Sequence, residues 1–350
     1  MNRVVYFFRK QNPAFFSIES SFGLVASAVE TEYRDEYGVT VVRMPHHSSP
    51  RSILPNIRYA RQRQGDINHI TGDIHYALLG FDRKKVNVLT IHDCVLLQRL
   101  SRKNPRWWII KWLWYDLPIG KADMVVAVSE NTKRDLLRFT NCSPDKIRVI
   151  PQFIDPIFQP GPPLAFRDRP VILFVGTTVN KNLPRLAEAM EGISADLDII
   201  GKLNSEQTEC LKRYGISYRQ CAGITFPELL EHYQDCDILA FPSTFEGFGA
   251  PILEGQAVGK PVLTSAMLPM NEVAGDGACL IDPYDPASIR EGLLRIIGDH
   301  RYREGLIKAG LANAARFSLR NTAGSYARLY AELLERKKSA SEKIFIPNVK

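Results

Sequence analysis

Apolar residues in the first half of the chain gather in short runs rich in Val, Ile and Phe, at residues 4–8, 39–43, 66–70, 86–91, 124–128 and 147–150. Longer polar or amphipathic segments separate the runs. That alternation predicts buried parallel strands joined by helices, a doubly wound α/β sheet. Residues 151–170, PQFIDPIFQPGPPLAFRDRP, hold six prolines and one glycine, a composition that continues neither a helix nor a central strand. An interdomain linker is expected here. The alternation restarts at 171–175, 197–200, 218–221, 238–241, 261–264 and 279–281. Two Rossmann-like domains are therefore predicted, residues 1–165 and 166–318, facing across a cleft with chemistry in the loops that follow strands. From 287 to 338 the period is helical, with Ile289, Leu293 and Ile296, then Leu306 and Leu311, then Tyr326, Leu329, Tyr330 and Leu333. Residues 319–338 are expected to cross back to the N-terminal domain, and 339–350 to form a loosely held tail.

Composition sharpens this picture without changing it. Of 350 residues, 45% are hydrophobic and 24% charged, which is ordinary for a globular protein. Residues 1–165 hold 23 basic and 15 acidic residues and 166–350 hold 22 and 23, so the whole net charge of +7 comes from the N-terminal half. Such a surplus predicts one face drawn to phosphate or anionic lipid. No apolar run approaches the roughly 18 residues that span a bilayer. Six scattered cysteines without a C-x-x-C pair, and a start without a long apolar stretch, lead us to expect a reduced, cytoplasmic protein.

The most specific segment is FPSTFEGFGAPILEGQAVGKPVLTS, residues 241–265. A strand ends in Pro-Ser, a Gly-rich loop follows, and Pro251 suits the first turn of a helix beginning near Ala250. Backbone N–H groups of such a loop and helix start can hold a diphosphate. Glu246 and Glu254 flank it, the first placed to accept from sugar hydroxyls and the second to grip a ribose diol. The same spacing also suits a plain strand–loop–helix in which Glu246 caps the helix and Glu254 is solvated.

As a whole this segment resembles the E-x7-E motif of retaining glycosyltransferases with the GT-B fold, family 4. The resemblance covers nearly the whole chain. Residues 174–178, FVGTT, followed by Lys181-Asn182-Leu183, are similar to that family's phosphate-binding loop. Ala122-Asp123 with Val128-Ser129, Ile150-Pro151 with Asp155, and Arg316-Phe317-Ser318 with Ala323 and Tyr330 are also similar. The resemblance implies a nucleotide diphosphate sugar as donor and no cofactor. It implies donor contacts from Gly176, Thr177, Lys181, Gly201, Lys202, Gly247, Phe248, Gly249, Ala250, Pro251 and Glu254. Lys181 would offset charge on the leaving group; Thr177 stands where many relatives carry an arginine. Ile91-His92-Asp93 resembles the family's H-D element, which makes His92, Asp93 and Glu246 the catalytic candidates. His69-Ile70-Thr71-Gly72-Asp73 is similar too, as loop architecture first and acceptor contact second. Many relatives have a Gly-Gly turn after the first strand, whereas residues 9–29 here contain Gly23 alone.

All four tryptophans lie in residues 104–115, NPRWWIIKWLWY, where Asn104 and Pro105 mark a helix start. From Arg99 to Lys121 there are six basic residues and one acid, Asp116. An aromatic, basic helix too short to span fits a membrane-surface or acceptor face made of Arg102, Lys103, Arg106, Trp107, Trp108, Lys111 and Trp112. A core helix packing a Trp cluster under the sheet fits equally. Nucleic acid is not expected, since the cluster is apolar apart from Lys111. Metal is not expected either: the seven histidines lack ligand spacing, and Asp235-Cys236-Asp237 precedes a strand.

The expected activity is thus hexose transfer to a lipid-linked or polysaccharide acceptor in surface glycan biosynthesis, at the inner face of the plasma membrane. The Phe248–Pro251 turn resembles that of mannosyltransferases and favours GDP-mannose. A nucleotide-sugar epimerase and a non-catalytic binding subunit are the alternatives; a dinucleotide dehydrogenase is disfavoured because no G-x-G-x-x-G follows the first strand.

Overall fold

The computed structural model describes residues 1–10, 17–162 and 164–344. The chain forms two compact units, Met1–Phe153 with Leu319–Lys350, and Ile154–Ser318. Part of the loop after the first strand, residues 11–16, and the last six residues of the expected tail lie outside the described residues.

In the first unit, β1 (Asn2–Phe8), β2 (Tyr37–Arg43), β3 (Ile67–Ile70), β4 (Val86–Ile91), β5 (Met124–Ala127) and β6 (Ile147–Val149) make one parallel sheet in the order β2-β1-β3-β4-β5-β6. Successive residues bury on opposite faces, as the two-residue strand period requires. Val5, Phe7, Ile70, Leu89 and Ile91 enter one core, which Trp107 and Tyr115 help to cover. Val4, Tyr6, Phe8, Val86 and Val88 enter the other, covered by Phe22, Val25 and Val29 of the helix Ser17–Glu32 and by Tyr326, Leu329, Tyr330 and Leu333 of the helix Leu319–Ile344. That last helix continues past Lys338, the end expected from the sequence.

The second unit repeats the design with β7 (Val171–Val175), β8 (Asp196–Ile200), β9 (Tyr218–Cys221), β10 (Ile238–Phe241), β11 (Val262–Ser265) and β12 (Ala278–Ile281), parallel and ordered β12-β11-β10-β7-β8-β9. The order reverses at β7, so the loops after β7 and β10 diverge at a switch point where ligands of such sheets bind. All twelve strands expected from the sequence are present. The helical stretch from 287 to 338 is three helices, Pro286–Gly298, His300–Ala314 and Leu319–Ile344. Asp299 breaks the first two apart, its carboxylate accepting the Tyr302 N–H at 2.9 Å.

From Ile154 onward the described residues of the proline-rich stretch belong to the second unit, ahead of the boundary expected at 166. The Ile154 N–H donates to Phe317 C=O at 2.8 Å, and Phe158 is buried edge-on against Tyr233, ring centres 5.3 Å apart.

Inside the first unit, His69 is fully buried and sits 2.7 Å from both Tyr330 Oη and Thr90 Oγ1. Tyr330 in turn donates to Tyr6 at 3.0 Å. Neutral His69 completes this chain by donating from Nδ1 to Tyr330 and accepting from Thr90. Burial pushes its pKa down to about 3. Unfolding restores a value near 6.5, so the unfolded chain takes up a proton between those limits while the folded one does not. This group's stabilisation is complete above pH 6.5 and falls by about 1.4 kcal/mol per pH unit on acidification towards pH 3. Urea unfolding midpoints should therefore drop over that range in the wild type, and drop less steeply in His69→Gln.

Candidate functional site

At the switch point of the second unit, the loops after β7 and β10 are tied together. Asn182 takes a left-handed backbone, φ 70°, and its amide donates to Pro242 C=O at 3.1 Å and Pro283 C=O at 2.7 Å. Asn180 donates to Phe245 C=O at 2.9 Å and to Glu246 Oε1 at 3.2 Å, while the Thr244 N–H donates to Asn180 C=O at 2.8 Å. Lys181 Nζ lies 2.7 Å from Glu246 Oε1 and 4.3 Å from the centre of the Phe241 ring. The ammonium and carboxylate expected to meet opposite parts of a charged ligand are thus already paired.

Two glycines permit this approach. Gly176 has φ +90°, and a Cβ there would lie 2.9 Å from Lys181 Cε. Gly201, after β8, has φ +143°, and a Cβ would lie 2.8 Å from the Thr177 methyl. The Thr177 hydroxyl donates to Lys202 C=O at 2.8 Å, and its own carbonyl accepts from Gln207 at 2.7 Å. The Lys202 side chain is exposed.

After β10, Gly247 and Gly249 lead into the helix Ala250–Ala257, with Gly249 at φ +100° before it and Pro251 in its first turn. The first N–H groups of a helix have no partner within it and attract anions. Phe248 departs from expectation: it is buried and packs edge-on against Phe317, ring centres 6.1 Å apart. Its large apolar ring gains more from packing than from standing in a polar loop, so it anchors the loop. One turn into the helix, Glu254 accepts from Tyr233 Oη at 2.5 Å. Burial raises Glu254 to about 7; the Tyr233 hydrogen bond and Lys181 pull it down, while Asp155 adds to the rise.

The first unit has its own cluster where its strand order reverses, between β1 and β3. Arg9, just past β1, pairs with Glu19 at 2.5 Å and reaches Asp73 at 3.6 Å. His92, after β4, donates from Nε2 to Thr71 C=O at 2.8 Å, and its Nδ1 accepts from the Gln152 amide at 3.0 Å. Burial lowers its pKa, which keeps the ring neutral. The His92 carbonyl accepts from the Thr132 hydroxyl at 3.0 Å. Asp93 accepts the Val95 N–H at 3.0 Å, so it shapes the turn. Arg9, Asp73, His75, His92, Trp114 and Tyr115 line a 260 Å³ cavity. His69, being fully buried, meets only protein partners.

The tryptophan segment divides. Trp107 is 2% exposed, its indole donating to Leu97 C=O at 2.9 Å, and Lys111 is ion-paired with Asp116. Neither belongs to an outer face. The core claims the Trp107 ring, and the local acid claims the Lys111 charge. Trp108 and Trp112 are 57% and 59% exposed, and Arg102, Lys103 and Arg106 are exposed beside them in sequence.

Sequence reasoning passed over Asn180, Tyr233, Gln152 and the Arg9–Glu19 pair. Arg9 carries a local signal, a charge immediately past a strand at the sheet's switch point, and Asn180 stands next to Lys181 in the same loop. Tyr233 and Gln152 come from distant positions and carry none.

Two six-stranded parallel-sheet units, one carrying the E-x7-E spacing in the loop and helix after β10, define the GT-B class in fold and motif. Residues 158–312 match the model of group 1 glycosyl transferases, and residues 20–158 match that of glycosyltransferase family 4. The chain belongs to this family of glycosyltransferases. It is 26% identical over 227 residues to the serotype-specific mannosyltransferase WbdA of Escherichia coli, covering 58% of this chain and 28% of WbdA. It is 29% identical over 262 residues to the D-inositol 3-phosphate glycosyltransferase of Acidothermus cellulolyticus, covering 65% of this chain and 58% of that protein. The structure of Anabaena Alr3699/HepE in complex with UDP-glucose matches with a TM-score of 0.73 at 16% identity, over 95% of this chain and all of that one.

The hydrogen bond and charges around Glu254 yield a titration test. In protein with carboxyl-labelled glutamate followed by NMR, Glu254 should titrate near pH 7. Tyr233→Phe and Lys181→Ala should move it upward and Asp155→Asn downward.

Proposed function

We propose that the protein is a retaining, metal-independent hexosyltransferase. It moves a hexose from a nucleotide diphosphate sugar to a lipid-linked or polysaccharide acceptor in surface glycan biosynthesis, in the cytoplasm at the inner face of the plasma membrane. The observation that carries this reading is the Lys181–Glu246 pair, held by Asn180 beside the N-terminus of Ala250–Ala257. In the proposed reaction the bond between the sugar's anomeric carbon and the diphosphate oxygen breaks, and negative charge gathers on the leaving nucleotide diphosphate. Lys181 and the first-turn N–H groups stabilise that charge. Glu246 accepts from hydroxyls of the transferred sugar, and Glu254, as carboxylate, grips the ribose diol. The acceptor hydroxyl attacks from the face the diphosphate leaves and gives its proton to a departing phosphate oxygen. His92 has both ring nitrogens engaged, by Thr71 C=O and the Gln152 amide, so it takes no proton and reaches the sugar only by releasing Gln152.

GDP-mannose is the favoured donor. The mannosyltransferase activity in the name of WbdA and the Phe248–Pro251 turn support it. Nucleotide base discrimination is assigned to the loops around Gly201-Lys202 and residues 223–229.

Incubation with labelled nucleotide sugars and membrane extract should give transfer with retained anomeric configuration, undiminished by EDTA. Folded Lys181→Ala and Glu246→Ala variants should lose at least about a hundredfold in kcat, the scale of removing one preorganised charge-stabilising group. Among GDP, UDP and dTDP, GDP should raise the melting temperature most, because tight binding to the folded state stabilises it. Interconversion of free nucleotide sugars without an acceptor would identify an epimerase instead, and unchanged melting with all three nucleotides would remove the donor site.

A further inference from the structure

The helix start at residues 105–110 runs into a π-helical turn, Lys111–Asp116, and then into Leu117–Lys121. Pro118 has no N–H to offer the carbonyl of Trp114, four residues earlier. His75 fills that place, donating from Nδ1 to Trp114 C=O at 2.7 Å, while the Leu117 N–H reaches back five residues to Trp112 C=O. The aromatic residues along this segment divide by face. Trp107 and Tyr115 go into the core. Trp114 lines the cavity shared with His92 and gives its indole N–H to Asp73 C=O at 2.9 Å. Trp108, Ile109 and Trp112 go outward, 57%, 60% and 59% exposed.

Three large apolar side chains left outside on one short segment are unusual unless something covers them. Their surroundings specify what. No acidic residue occurs between Cys94 and Tyr115. Lys111 is neutralised by Asp116, so no unpaired charge from it interrupts the apolar positions. Arg102, Lys103 and Arg106 precede them and are exposed. The Trp108 indole donates to Arg102 C=O at 3.1 Å, and the Arg102 guanidinium carbon lies 5.4 Å from the Trp107 ring centre, so the basic loop is tied to the helix. Aromatic rings beside fixed cations suit the boundary between anionic headgroups and acyl chains. A second copy of this chain fits poorly, because a twofold contact would set these cations against themselves.

We propose that this segment docks on an anionic lipid bilayer, with Trp108, Ile109 and Trp112 inserted at the interface and Arg102, Lys103 and Arg106 among the phosphates. The inner side of the same helix supplies Trp114 and Tyr115 to the cavity beside His92, so docking would bring that cavity to the membrane surface. This deepens the reading of a lipid-linked acceptor, but it stands on its own observation and is tested without donor, acceptor or turnover.

The test uses the full chain with vesicles of phosphatidylcholine alone or mixed with phosphatidylglycerol. Wild type should co-sediment with the mixed vesicles only. Its tryptophan emission should shift to the blue and be quenched by brominated acyl chains. Arg102→Gln/Lys103→Gln/Arg106→Gln should weaken binding to mixed vesicles by roughly a hundredfold. Trp108→Ala/Trp112→Ala, both at exposed positions, should keep the wild-type melting temperature and lose the bromolipid quenching. Equal binding to both vesicle types, no binding, or quenching unchanged in the tryptophan variant would overturn the proposal. So would a concentration-dependent dimer that the tryptophan variant abolishes. Should either variant fail to fold, bromolipid quenching of the wild type decides alone. Loss of transferase activity with docking intact would count against the catalytic reading and leave this one standing.

Discussion

A parallel sheet must be covered on both faces, because its crossover connections and its fully apolar strands leave neither face fit for water. The rest of this molecule follows from that constraint. In the first unit the helices between consecutive strands do not supply the whole cover, and the last helix, Leu319–Ile344, completes it with Tyr326, Leu329, Tyr330 and Leu333. The last described helix returns to the unit that holds β1 and serves as the lid on that face. The polar chain from His69 through Tyr330 to Tyr6 then ties the lid to the sheet inside a core that tolerates few unpaired polar atoms.

With the faces closed, chemistry is left to the carboxyl ends of the strands. Each unit sets one charged cluster there, where its strand order reverses. In the second unit two loops that leave in different directions are drawn back together by Asn180 and Asn182, and Lys181 lies between these two amides along the chain. In the first, Arg9, Asp73 and His92 come from three neighbouring strands. Charges at both points are satisfied in advance, Lys181 by Glu246 and Arg9 by Glu19. A ligand entering either place must exchange partners with the protein, which favours ligands that bring charge of their own.

The tryptophan segment shows the competition between core and surface within a few residues. Two readings were open on sequence, core cluster or outer face, and the structure realises both. Trp107 and Tyr115 turn into the core, while Trp108 and Trp112 stand outside. Composition alone could not distribute them, because a tryptophan satisfies either environment.

The strands, their order of appearance, the restart of the alternation after the prolines, and the E-x7-E loop and helix were all legible along the chain. These are local signals: period, turn residues, and spacing within about one element. The family resemblance added Lys181 and His92 by the same local means. Tertiary structure alone decided that Phe248 packs inward, that residues 154–162 belong to the second unit, and that Tyr233 holds Glu254. It also decided that Gln152 and Thr71 occupy both nitrogens of His92. Each of these depends on which side chain arrives from a distant position to satisfy a buried group. A hydrogen bond needs a partner within about 3 Å, and nothing in a one-dimensional pattern says which residue that will be.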